Sequence, residues 1–120
     1  MRNIVTWVLT VLLALAFLGA GGAKLTSQAM MVAEFNSFGY PLWFMYLTGV
    51  IEVVAAILLL VPRLAGLGAG LLICVMAGAI VSHIGHSQAA MIGAPVVLLI
   101  LAAVVGSLRG WVGVRLAQPA

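Results

Sequence analysis

Residues 42–61 read LWFMYLTGVIEVVAAILLLV, twenty positions that carry a single charged side chain, Glu52, about halfway along. About 20 apolar residues cross a hydrocarbon core of roughly 30 Å at 1.5 Å per residue, so this stretch has the length and character of a transmembrane helix. Pro62 and Arg63 close it. Three further runs share its character on either side. Ile4 to Ala23 ends at Lys24, Leu64 to Ser82 ends at His83, and Ala90 to Leu108 ends at Arg109. None alternates apolar and polar residues with period two, as the strands of a transmembrane barrel require. The predicted fold is therefore all-α: an integral membrane four-helix bundle in one domain over residues 1–120, with spans at about 4–24, 42–61, 64–83 and 90–108.

Composition points the same way. Of 120 residues, 66% are apolar, and only five basic and two acidic side chains carry formal charge. A small water-soluble domain stays about half apolar and cannot hide more, so the expected solvent is lipid. The pI near 9.8 comes from scattered basic residues with no stripe and no aromatic interleaving, which excludes a nucleic-acid track. Cys74 is the one cysteine and lies inside an apolar run, so neither an internal disulfide nor a C-x-x-C exchange pair can form. The first 23 residues also have the outline of a cleavable signal peptide, with Arg2, an apolar core from Ile4 to Leu18 and small residues from Gly19 to Ala23. The apolar run continues to Lys24, long enough to span, and is read as a helix.

Leu25 to Pro41 is the longest and most polar connection. Met30, Met31, Phe35 and Phe38 recur near helical spacing while Ser27, Gln28, Glu34 and Asn36 supply polar positions. This predicts a short amphipathic helix that lies in the interface or dips towards the bundle and ends at Gly39. Orientation follows from the basic residues, which favour the cytoplasmic side. Arg2, Arg63, Arg109 and Arg115 fall at one end and Lys24 at the other, so both termini are expected in the cytoplasm. Trp7 and Trp111 then mark the inner interface, and Tyr40, Trp43 and Tyr46 the outer one.

Helices in lipid associate largely where small residues let backbones approach. Gly66, Gly70, Cys74, Gly78 and Ser82 recur every four residues on the third span. Such a stripe serves either packing within one bundle or a seam between copies in a homo-oligomer.

The chemistry centres on Glu52. A charged carboxylate at mid-membrane costs about 3 kcal/mol on insertion scales, so it should face the interior and be paired or protonated. As an interior group it is a candidate proton carrier or ligand contact; as a structural one it is a polar clamp between helices. Lys24 is the basic residue at the outer end. With span ends level, Glu52 lies roughly 16 Å along the helix from Pro41, beyond a lysine's reach; pairing with Glu52 and plain snorkelling of Lys24 both stay open. The Gly21-Gly22 pair before it leaves a deeper position open. His83 and His86 stand one turn apart at the outer end of the third span. Zinc would need a third ligand, for which Glu34 is the obvious donor; no metal site is expected, and the histidines are read as interfacial or as a proton relay to Glu52. Gln28, Tyr46 and His86 are the further candidates for ligand contact. Ser82 beside His83 is no dyad, because adjacent helical residues point apart.

The ordered elements Ala20-Gly21-Gly22-Ala23-Lys24-Leu25, then Phe35 and Phe38-Gly39-Tyr40-Pro41, then Gly49-Val50-Ile51-Glu52, with a histidine ending the third span, resemble the DoxX-like family of small four-helix membrane proteins over nearly the whole chain. The resemblance implies a bacterial or archaeal inner-membrane protein. It also implies an association with oxidoreductase complexes, the name-giving members being linked to a thiosulfate:quinone oxidoreductase, although many members have no assigned activity. Carried over by position, it points to Lys24, Glu52 and His83. The leading expectation is a membrane subunit of a redox system with no intrinsic cofactor that binds a quinone or other lipophilic small molecule near Glu52. It would work beside a soluble or membrane oxidoreductase partner. A proton-coupled exporter and a non-catalytic scaffold or assembly factor are the alternatives.

Overall fold

A computed structural model of the chain describes residues 2–86 and 92–110. Among these residues the structure is all helix and turn, with no strand. Helix α1 spans Arg2–Leu25, α2 Ala29–Ser37, α3 Leu42–Leu60, α4 Ala65–Gly85 and α5 Gly93–Arg109, and a 3-10 turn over Pro62–Leu64 joins α3 to α4. The chain is an all-α membrane bundle, as its patterning predicts. Asn3–Leu25, Leu42–Leu60 and Pro62–Gly85 are long and apolar enough to cross a membrane, and Gly93–Arg109 is a shorter apolar helix. The expected start of the fourth span at Ala90, together with Trp111 and Arg115, lies outside the described residues.

The breaks between helices have local causes. Ser27 (φ 55°) and Gly39 (φ 76°) adopt left-handed conformations at the two ends of the α2 segment, and a left-handed residue does not continue a right-handed helix. Val61 is extended (φ −100°, ψ 110°), as a residue before proline prefers to be, and so α3 stops there. The α2 segment is the short helix foreseen between the first two spans. It dips inward: Phe35 and Phe38 are buried while Met30 stays exposed.

Round the bundle, α1 lies against α3, α3 against α4, α4 against α5, and α5 back against α1. Neighbours run in opposite directions, so the start of α1, the end of α3, the start of α4 and the end of α5 share one end. The cation–π stack of the Arg109 guanidinium on Trp7, 4.2 Å from the ring centroid, ties α5 to α1 at that end. The apolar core sits in the same half. Leu13 and Phe17 of α1, Ala56 and Leu59 of α3, Leu72 of α4 and Val105 of α5 form one buried cluster. The opposite half holds the buried ionisable side chains Lys24, Glu52 and His83, with Ser82 beside them, while the buried Thr10 of the solid half turns its hydroxyl onto the Thr6 carbonyl of its own helix. The bundle is thus solid at one end and polar-lined at the other.

Glycines set the two tight crossings. A Cβ at Gly21 would stand 2.8 Å from the Gly49 carbonyl oxygen, so α1 and α3 meet backbone to backbone. A Cβ at Gly68 would stand 2.6 Å from the Ala55 carbonyl oxygen, which closes α4 onto α3. Gly68 is not on the four-residue stripe. Gly70 and Gly78, which are, would meet nothing within 4 Å, so packing within the bundle does not account for those two positions.

Candidate functional site

The α1–α3 crossing determines where Lys24 goes. Gly49 lies seven residues past the start of α3 at Leu42, which is roughly 10 Å along the helix. A Cβ on Gly49 would sit 2.9 Å from the Cβ of Lys24. The end of α1 is therefore sunk about two turns below the start of α3, and Glu52 is one turn further along from Gly49. Lys24 Nζ reaches Glu52 Oε1 at 2.7 Å. Of the two readings open for Lys24, the structure has the pair and not the snorkelling lysine: the 16 Å separation holds for helix ends at one level, whereas bare glycine backbone lets α1 seat deeper. Lys24 and Glu52 are both buried, the carboxylate completely.

This pair leaves the carboxylate incompletely engaged. Lys24 engages Oε1, and Oε2 has no partner among the described residues. A buried carboxylate normally has its lone pairs occupied. Here it lies on the wall of a cavity of about 850 Å³ lined mainly by apolar and aromatic side chains, among them Phe17, Phe35, Phe38 and Phe44. Lys24, Glu34, Tyr40, Thr48, Ser82 and His83 supply the other polar side chains on that wall. A mostly apolar concavity with a few convergent polar groups is the usual form of a small-molecule site.

The α2 segment roofs the cavity. His83 Nε2 lies 3.3 Å from Glu34 Oε1, linking α2 to α4. Tyr40, on the return to α3, hydrogen-bonds Ser82 Oγ through its hydroxyl at 2.8 Å. Tyr40 was expected at the outer interface; its ring instead turns inward and joins the aromatic cluster with Phe35, Phe38 and Phe44. Phe38 also stands edge-on to His83, with centroids 5.0 Å apart.

Of the residues singled out from the sequence, Lys24, Glu52 and His83 come together on this one cavity. Gln28, Tyr46 and His86 are not on its wall. Gln28 is exposed just before α2. The Tyr46 hydroxyl lies 2.6 Å from Ser27 Oγ, bracing the turn after α1. His86 Nδ1 lies 2.8 Å from the Ser82 carbonyl oxygen, which turns the ring back onto its own helix. Among the described residues no group of three or more His, Cys, Asp or Glu is placed to hold a metal ion. The Glu34–His83 link and the Tyr40–Ser82 bond escape sequence reading, although Glu34 is conspicuous as the only acidic residue besides Glu52.

Residues 8–105 match the DoxX-like family. The chain belongs to that family. The match covers α1 from its second turn, the whole of α2, α3 and α4, and most of α5, and so contains every group on the cavity wall named above. The DoxX-like chain is also 34% identical over 84 residues to the uncharacterized protein YdgD of Bacillus subtilis (strain 168), an alignment covering 67% of this chain and 74% of that relative. No solved structure matches it.

Proposed function

We propose that this DoxX-like protein is an inner-membrane subunit of a bacterial or archaeal redox system that holds a quinone-like ring in the cavity beside Glu52. The observation that carries the reading is a fully buried carboxylate that Lys24 engages at Oε1 and that has no partner at Oε2 among the described residues, on the wall of a cavity of about 850 Å³. That volume falls within the roughly 300–1,000 Å³ of small-molecule sites, and aromatic side chains supply flat walls for a ring. A bound quinone supplies electron-pair and proton chemistry. The chain's own part is to bind and to handle protons. The Lys24 ammonium offers donors to a ring oxygen and favours negative charge developing there. Glu52 Oε2 accepts a hydrogen bond or a proton from a hydroxyl. His83, with Glu34 beside it, is a second proton-handling group under the α2 roof. The sequence has no motif for a resident redox group, so electrons come from an oxidoreductase partner or a diffusible donor.

The orientation belongs to the same proposal. Arg63 and Arg109 flank the solid end together with the start of α1, and the preference of basic residues for the cytoplasm puts that end and both termini inside. Membrane-impermeant labelling of cysteines added at each terminus tests this part; modification from the outside of intact cells would reverse it.

The ligand test is calorimetric titration of a short-tailed ubiquinol analogue, the reduced form whose hydroxyls can donate to Glu52, into the full chain in lipid nanodiscs. Saturable binding that Glu52→Gln abolishes is expected. Equal binding by wild type and Glu52→Gln, or no binding by wild type, removes the reading.

A further inference from the structure

The cavity does not end at the inner surface of the bundle. Its wall includes Cys74, Gly78 and Val81 of α4 and Leu47 of α3, all of them exposed on the outside. At roughly 100° per residue, the three α4 positions share one flank, beside the face that meets α3 at Gly68. Leu47 and Ile51 lie on the flank of α3 that borders the same gap, and Ile51 also lines the cavity. Little side chain is available to close it: Cys74 is small, and a Cβ at Gly78 would meet nothing within 4 Å. Cys74 stands about halfway along α4 and Glu52 about halfway along α3, so the gap faces the acyl-chain region and not the headgroups.

The two ends of this passage constrain what fits it. At the inner end, Lys24 already balances the charge of Glu52. A charged head group would leave a net charge in a low-dielectric interior, which is costly, so the head is neutral. The open Oε2 calls for a donor on that head. At the outer end the surroundings are hydrocarbon, which calls for an apolar chain. We propose that the gap between α3 and α4 is a lateral portal and tail site for a neutral, single-chain amphiphile. Its head donates an O–H or N–H to Glu52, and its alkyl or prenyl tail runs out past Gly78 into the bilayer. The proposal rests on the ligand-binding reading of the cavity and adds to it a tail and a route of access.

The test uses the full chain in nanodiscs and a long-chain primary alcohol with a diazirine in mid-chain. Photolysis should place adducts on Leu47, Ile51, Cys74 and Val81 in preference to Leu12, Leu15 and Val97, which are exposed elsewhere on the bundle. Gly78→Leu and, independently, Val81→Trp should each cut the adducts at the other portal positions at least tenfold, while Gly78→Ala leaves most of them. Both positions are open in the fold, and unfolding midpoints equal to wild type confirm that the blocking variants are intact. Excess decyl-tailed benzoquinol, kept reduced so that its hydroxyls can donate, is then added as competitor. Portal adducts that it displaces support the portal and the quinone reading together. Portal adducts that it leaves in place support the portal and count against the quinone. Adducts spread evenly over the bilayer-facing surface and indifferent to both blocking variants overturn the portal, and leave the ring reading to the titration above.

Discussion

Gly21 and Gly49 touch with no side chain between them: a Cβ at Gly21 would fall 2.8 Å from the Gly49 carbonyl oxygen, and one at Gly49 would fall 3.0 Å from the Gly21 carbonyl oxygen. Two missing methyl groups thereby set the depth of α1, and that depth is what delivers an ammonium to a carboxylate at mid-membrane.

Gly21→Ala and Gly49→Ala should each destabilise the bundle by about 1–3 kcal/mol, the usual range for overpacking a close contact. Gly19→Ala, on the same helix with open space around it, should cost nothing. Unfolding in a graded detergent series reads the difference. Equal stabilities for all three variants would show that the crossing is not set by these glycines.

Lys24→Met should be strongly harmful, because it strips the counter-charge from a carboxylate with no solvent exposure. Breaking a buried pair from one side costs about 3–5 kcal/mol. The double variant Lys24→Met/Glu52→Gln should recover most of the stability while failing to bind the ubiquinol analogue. A double variant no more stable than Lys24→Met alone would mean that the lysine matters for something other than charge balance.

Glu34→Gln should change global stability little, since a partly exposed pair contributes about 0–1 kcal/mol. Its effect is local: with the Glu34–His83 link weakened, amide hydrogens in Ala29–Ser37 should exchange faster than in wild type. Hydrogen exchange read by mass spectrometry follows the segment directly, and unchanged protection there would show that the aromatic contacts alone hold α2 down.

Gly39→Ala should destabilise by about 1–2 kcal/mol, because a φ of 76° is left-handed and costs that much for a residue with a Cβ. Gly39→Asn should cost less. No atom lies within 4 Å of a Cβ built at Gly39, so the pair of variants isolates backbone strain from crowding in a thermal melt.

The membrane spans were legible because lipid leaves few alternatives. A run must be long enough, apolar enough and closed by a stop, and Lys24, Pro62 and Arg109 are stops that can be read directly. Glu52 was legible for the same reason, since a carboxylate in that position is too costly to be incidental. Vertical offset was not. Whether Lys24 sits level with Pro41 or with Gly49 depends on which glycines cross, and Gly21, Gly22, Gly49, Gly66, Gly68 and Gly70 look alike in a string of letters. The four-residue spacing drew attention to Gly70 and Gly78, whereas Gly68 makes the contact. The direction of the Tyr40 ring was not legible either: at the outer end of the bundle it reads as an interfacial aromatic, and only the fold brings Ser82 within reach of its hydroxyl.

The unequal halves of the bundle carry a practical lesson. Cohesion resides around Leu13, Phe17, Leu59 and Leu72, and the proposed recognition site lies at the far end, with Gly68 and Gly21 as the rivets between. A protein engineer redirecting this scaffold to another guest would leave the first territory alone and recut the second, and the chain should tolerate the surgery.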